Sequence, residues 1–158
     1  MPATVLRVYV PDQTMQGITY ELVLIDEEGN ADPVVERKAN YNIPRFSPDG
    51  SQVAVRINDG ANNNIWIVDL ATGIFTQMTN SGSSFGPIWS HDGSFLTFRA
   101  TRDSVANGVY TIPVDGSAQE SLLFDKPGSQ VPVEWSNDGE FLLYYDNIAG
   151  RDIYTYSV

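Results

Sequence analysis

Three groups of residues in this chain of 158 amino acids have types and spacings that invite a chemical reading. Gly82-Ser83-Ser84-Phe85-Gly86 has the Gly-x-Ser-x-Gly spacing of a nucleophile elbow, where a strained strand-to-helix turn lifts a serine toward a histidine and an acid. Asp49, Asp92 and Asp138 are carboxylates at recurring positions, the residue type used for general acid–base catalysis. The Asn, Asp and Gly runs at 58–64, 103–108 and 146–152 carry oxygens of the kind that calcium takes.

Each group has a plainer reading. The elbow spacing is followed by a further strand-like run where an elbow needs a helix. His91, the single histidine, stands at a turn position that sister segments fill with Pro48 and Asn137. One histidine leaves little room for histidine-based acid–base chemistry. The polar loops lack the alternating acidic spacing of an EF-hand, and Asn, Asp and Gly are the ordinary residues of solvated turns. The aspartates recur once per repeat, whereas an active site is built once. With Ser47, Ser90 and Ser136 beside them, they suit turns held by side-chain to backbone bonds. The expectation is no catalytic residue, no metal site and no cofactor.

The elements that carry these residues are repeated. Ile43-Pro44-Arg45-Phe46-Ser47-Pro48-Asp49-Gly50 returns as Gly86-Pro87-Ile88-Trp89-Ser90-His91-Asp92-Gly93, and again as Pro132-Val133-Glu134-Trp135-Ser136-Asn137-Asp138-Gly139. The glycines lie about 44 residues apart, the length of a four-stranded propeller blade. After each Asp-Gly comes a strand, at 51–57, 94–100 and 140–146, in which Val53, Leu96 and Leu142 share a register, as do Val55, Phe98 and Tyr144. Apolar residues two apart occupy one strand face. Third strands follow at 65–69, 109–112 and 153–156, and fourth strands at 74–79 and 119–124, after turns that include Asp115-Gly116. No helix-length apolar periodicity is present. The fold class read from this is all-β, built of four-stranded antiparallel propeller blades, about three and a half of them.

The phrases Phe46-Ser47-Pro48-Asp49-Gly50, Ile65-Trp66-Ile67-Val68-Asp69 and Gln77-Met78-Thr79 resemble the TolB-like, WD-related propeller repeat over residues 41–158. The later units depart from it at His91 and Asn137, and the Leu-Thr ending is lost after Leu122-Leu123. The resemblance implies a propeller scaffold, in a family that includes periplasmic translocation factors, propellers on sensor kinases and caps on serine peptidases. It fixes a fold and not one function. The single histidine also counts against the three-histidine metal site of related propeller lyases.

Bulk composition narrows the partners. Twenty acidic residues against 9 basic ones give a net charge of -11, which repels nucleic acid and anionic membranes. The absence of cysteine excludes a disulfide framework. Pro2 and Pro11 break the first apolar run, so no signal peptide or membrane-inserting segment is expected, and the chain reads as cytoplasmic as written, or as periplasmic or extracellular if it was cut from a longer protein.

The organisation expected is one partial propeller domain over 1–158: an irregular blade at 1–40, blades at 41–80 and 84–125, and a blade at 130–158 without its last strand. An open fan exposes strand edges, so three arrangements are open. Residues 4–10 supply the outer strand of the last blade, or two copies associate into a ring, or further blades lie outside the chain. Self-association is the arrangement favoured. First strands line a propeller's channel, and Tyr41, Arg45, Phe85, Ile88, Gln130 and Glu134 fall on or beside them with identities that differ between units. These six are the candidate binding face for a protein or small ligand. The function expected is a non-catalytic scaffold. The alternative is a substrate-recognition or gating segment of a larger enzyme or sensor kinase.

Overall fold

The computed structural model describes residues 5–9, 19–102, 107–146 and 152–158. Among them are strands only: β1 (Val5–Tyr9), β2 (Glu21–Ile25), β3 (Ala31–Pro33), β4 (Asn40–Phe46), β5 (Gln52–Asn58), β6 (Asn63–Asp69), β7 (Phe75–Gln77), β8 (Ser83–Trp89), β9 (Phe95–Thr101), β10 (Gly108–Pro113), β11 (Ser121–Phe124), β12 (Val131–Trp135), β13 (Phe141–Asp146) and β14 (Asp152–Ser157). They form four antiparallel meanders in chain order: β1-β2-β3, β4-β5-β6-β7, β8-β9-β10-β11 and β12-β13-β14. These are the blades, counted first to fourth.

The fourth strands are shorter than the apolar pattern suggests, three residues in β7 and four in β11. Ile74 is largely exposed, and the Thr79 hydroxyl turns inward to accept the Ile65 N–H at 2.9 Å, ending the ladder. The arrangement in which residues 4–10 complete the last blade is not the one adopted. β1 pairs with β2 from Val5 opposite Ile25 to Tyr9 opposite Glu21. A partner nearby in sequence closes a shorter loop than one three blades away. Among the described strands, β14 is bonded only to β13.

Strand alternation builds the core between blades. Val53 and Val55 of β5 face the first blade and pack with its Leu22 and with Tyr41 of β4. Leu96 and Phe98 of β9 face the second blade and meet Ala54, Ile65 and Ile67. Leu142 and Tyr144 of β13 face the third blade beside Val109 and Phe124. The residues aligned by the repeat therefore do the same work in each blade. Each is buried, and burial of such a side chain stabilises by about 1.5–3 kcal/mol.

The Asp-Gly turns are three copies of one device. The Ser47 hydroxyl donates to Asp49 Oδ1 at 2.6 Å and accepts the Gln52 N–H at 2.9 Å, while Asp49 Oδ1 accepts the Ser51 N–H at 3.0 Å. Ser90 with Asp92 and Ser136 with Asp138 repeat the pattern. These bonds favour the ionised acid. The Ser47 hydroxyl first, then the Ser51 N–H, draws Asp49 down to about 2. The Ser94 N–H and the Ser90 hydroxyl do the same for Asp92, also to about 2, and the Ser136 hydroxyl lowers Asp138. The folded values lie below the ordinary 3.8, so the turns contribute fully above that pH and lose their contribution as pH falls toward about 2. Thermal melts across this window should show the midpoint dropping, with a shallower drop in a variant carrying Asp49→Asn, Asp92→Asn and Asp138→Asn.

Candidate binding face at the inner strands

The inner strands β4, β8 and β12 pack side by side, β8 between the other two. Each is interrupted by a register shift: between Asn42 and Arg45, between Phe85 and Ile88, and between Pro132 and Glu134. A bulge of this kind inserts extra residues on one strand and re-aims the side chains beyond it. At the shift, Gly86 takes φ 59°, and Ile43 holds φ 51° in the same position of the second blade. That conformation is costly for a β-branched residue, and the bulge imposes it.

The bulges sort five of the six candidate residues into two sets. Tyr41 and Gln130 lie before the shift and are buried, as is Ser84 at the equivalent place. Each is latched: Tyr41 donates to the Arg37 carbonyl at 2.7 Å, and Gln130 donates to the Pro127 carbonyl at 3.0 Å and Asp146 Oδ2 at 2.9 Å. Burial pushes the Tyr41 phenol up to about 12, with Arg37 opposing. Both point into packing and away from the open face. Arg45, Ile88 and Glu134 lie beyond the shift, five residues before each repeated glycine. They line one hollow of about 410 Å³, together with Trp89, Val133 and Trp135. Arg45 and Glu134 are exposed and Ile88 forms the hollow's wall.

Phe85 is separate from this hollow. It stands half-buried at the shift, with the guanidinium carbons of Arg56 and Arg99 at 5.6 and 5.4 Å from its ring centroid. The two arginines were not among the sequence candidates. Their signal was a matched position six residues after the repeated glycine, where Arg56, Arg99 and Tyr145 break an apolar strand.

The residues with a chemical look have structural tasks. Ser84, at the centre of the elbow spacing, is fully buried inside β8 and accepts from Arg102 Nη2 at 3.1 Å. His91 is exposed in its turn. Trp89 Nε1 donates to the Arg45 carbonyl at 3.0 Å and Trp135 Nε1 to Thr97 Oγ1 at 3.0 Å, so each indole bonds to the preceding blade. Asp59 Oδ1 accepts the N–H groups of Ala61 and Asn62 and caps its own loop. Most of the other two polar loops, 103–106 and 147–151, lies outside the described residues. Among the described residues no group of three or more His, Asp or Glu is placed to hold a metal ion, and no helix is long and apolar enough to cross a membrane.

Comparison with known proteins agrees with this geometry. Residues 20–157 match the family described as the TolB beta propeller domain. The uncharacterized peptidase YuxL of Bacillus subtilis is 33% identical over 107 residues, covering 63% of this chain and 16% of YuxL. The Tol-Pal system protein TolB of Anaeromyxobacter dehalogenans is 26% identical over 118 residues, covering 74% of this chain and 27% of that protein. The chain thus spans well under a third of the length of these relatives. In fold, the crystal structure of TolB from Acinetobacter baumannii superposes with a TM-score of 0.77 at 21% identity, over 97% of this chain and 38% of that one. The propeller domain of the Trilobed protease from Pyrococcus furiosus, described as having an open velcro topology, superposes at 0.66 with 16% identity, over 96% of this chain and 55% of that one. With the repeated turns, the four meanders and a family match over most of its length, the chain belongs to the TolB β-propeller family.

Proposed function

We propose that this chain is a non-catalytic propeller segment that receives a protein or peptide partner on the face formed by Arg45, Ile88, Val133 and Glu134. The observation that carries the reading is the contrast within the repeat. Ser47, Ser90, Asp49 and Asp92 are alike and consumed by turn bonds, while Arg45, Ile88 and Glu134 differ at one matched position and open on the same hollow. Arg45 and Glu134 bring opposite charges to a hollow that also holds the apolar Ile88, Val133 and Trp135, an arrangement that orients a partner. The test is selection of peptides against the wild-type chain from a displayed library. Val133→Asp and Glu134→Lys should each weaken the selected binders by tenfold or more with folding intact. Binders indifferent to both changes would place the binding face elsewhere.

A second reading concerns assembly. In β14, Ile153 is 71% and Tyr154 44% exposed on a strand with one bonded neighbour among those described. Exposed strand edges with apolar residues favour association, here between two copies completing a ring. Light scattering on a dilution series should give twice the 17.4 kDa chain mass, more firmly at high salt, which screens the net charge of -11. Ile153→Lys should return the monomer; a wild type monomeric at every concentration and salt excludes the assembly. The peptidase among the relatives favours the other setting, in which the same face screens substrates for a catalytic domain.

A further inference from the structure

Arg56 and Arg99 reach Phe85 from two directions. Arg56 shares a face of β5 with Ala54, which packs between the second and third blades. Arg99 shares a face of β9 with Thr97, whose hydroxyl meets Trp135 of the fourth blade. Both cations are held against the one ring. Neither has an ion-pair partner among the described residues.

Arg56 Nε is, in addition, buried with no hydrogen-bond partner. A buried donor left unpaired is costly, the more so when it is charged. The chain satisfies such a group completely elsewhere: the five N–H groups of Arg102 reach Glu120, Ser83, Ser84 and Thr101. With 20 carboxylates in the sequence, none of the described ones is set against Arg56 or Arg99. Gly86, next in sequence to Phe85, and Tyr145, at the repeat position of Arg99, line a hollow of about 170 Å³ with Arg45, Ile43, Ile88, Val131 and Val133. Burial also lowers the pKa of Arg56 and so favours a compensating anion.

We propose that Arg56 and Arg99 bind a peptide carboxylate whose adjacent apolar side chain enters the hollow lined by Ile43 and Val131. The inference rests on the channel-face reading and names the chemistry that face selects. Guanidinium groups match a carboxylate with paired N–H donors. The Ile43, Ile88, Val131 and Val133 part of that hollow suits an aliphatic body, and a singly charged carboxylate meets less of the repulsion of the net charge than a phosphate polyanion does.

The test follows the arginine Nε–H signals of the wild-type chain by NMR during titration with three probes. These are N-acetyl-Ala-Leu with a free C-terminal carboxylate, its C-terminal amide, and N-acetyl-Leu-Glu amide. The expected result is movement of the Arg56 and Arg99 signals with one or both acidic probes and none with the neutral amide. Response to the first alone assigns the source to a peptide C-terminus; response to the third alone assigns it to an acidic side chain. Arg56→Gln and Arg99→Gln should each weaken the effective probe by roughly tenfold. Static arginine signals with both acidic probes, or equal movement with the amide, overturn the proposal. Movement of the Val133 and Glu134 backbone amides without the arginines also overturns it, and in that case the channel-face reading stands.

Discussion

Phe98→Ala is expected to lower the unfolding free energy by about 4 kcal/mol, the largest loss of any single change considered for this chain. Phe98 has no exposed surface, stacks on Tyr110 with centroids 6.4 Å apart, and packs against Ala54, Ile65 and Ile67 across the second and third blades. Its removal leaves a void walled on both sides by sheets that keep their ladders, so collapse into it is limited. For a chain of this size the loss corresponds to a fall in Tm of roughly 8–16 °C. Urea unfolding followed by tyrosine and tryptophan fluorescence measures it. Ile74→Ala, at a side chain 62% exposed, is the control and should stay within about 0.5 kcal/mol of wild type. A loss below about 1.5 kcal/mol at Phe98 would mean that the inter-blade packing is loose.

The second large effect lies at Arg102. Its guanidinium is 3% exposed, pairs with both Glu120 oxygens at 2.7 Å, and donates to the Ser83 and Thr101 carbonyls and the Ser84 hydroxyl at 3.1 Å. It also lies over the Tyr110 ring at 5.3 Å. One side chain thereby joins the start of β8, the end of β9 and the approach to β11. Glu120→Ala leaves the cation buried without its counter-ion and should cost about 3 kcal/mol, the low end for such a pair because Glu120 is 20% exposed. Adding Arg102→Met should recover much of that loss, since an apolar side chain of similar length needs no partner. A double variant no more stable than Glu120→Ala alone would show that the carbonyl bonds, and not the ion pair, hold the corner.

The repeat was legible because it is written in residues with local tasks. Ser47, Asp49 and Gly50 form a turn by bonding within six residues, so their recurrence at Ser90 and Ser136 announced the same turn wherever it came. Alternation from Val53 through Phe98 to Tyr144 likewise placed the blade interfaces. The candidate face was legible only in part. Tyr41 and Arg45 are four apart, as are Gln130 and Glu134, and on a regular strand each pair shares a face. The bulges between them break that parity, sending Tyr41 and Gln130 inward and Arg45 and Glu134 outward. Gly86 hints at a bulge in the sequence, as do Pro44, Pro87 and Pro132, which lack a ladder N–H, but Ile43 at φ 51° gives no sign of one. Arg56 and Arg99 escaped notice for a different reason. Their matched place six residues after the repeated glycine marks them as alike, but their meeting at Phe85 joins two blades, and that long-range juxtaposition is not written in any spacing.

The indole bonds give the chain a direction. Trp135 needs Thr97 of the third blade, and Trp89 needs Arg45 of the second. A blade that docks before its predecessor has formed buries an indole N–H with no acceptor, while one that docks afterwards finds the acceptor waiting. Phe46, in the same position of the second blade, has no N–H and makes no such demand. The second blade thus completes its own bonding without such an acceptor, whereas each later blade completes its bonding only against the one before it.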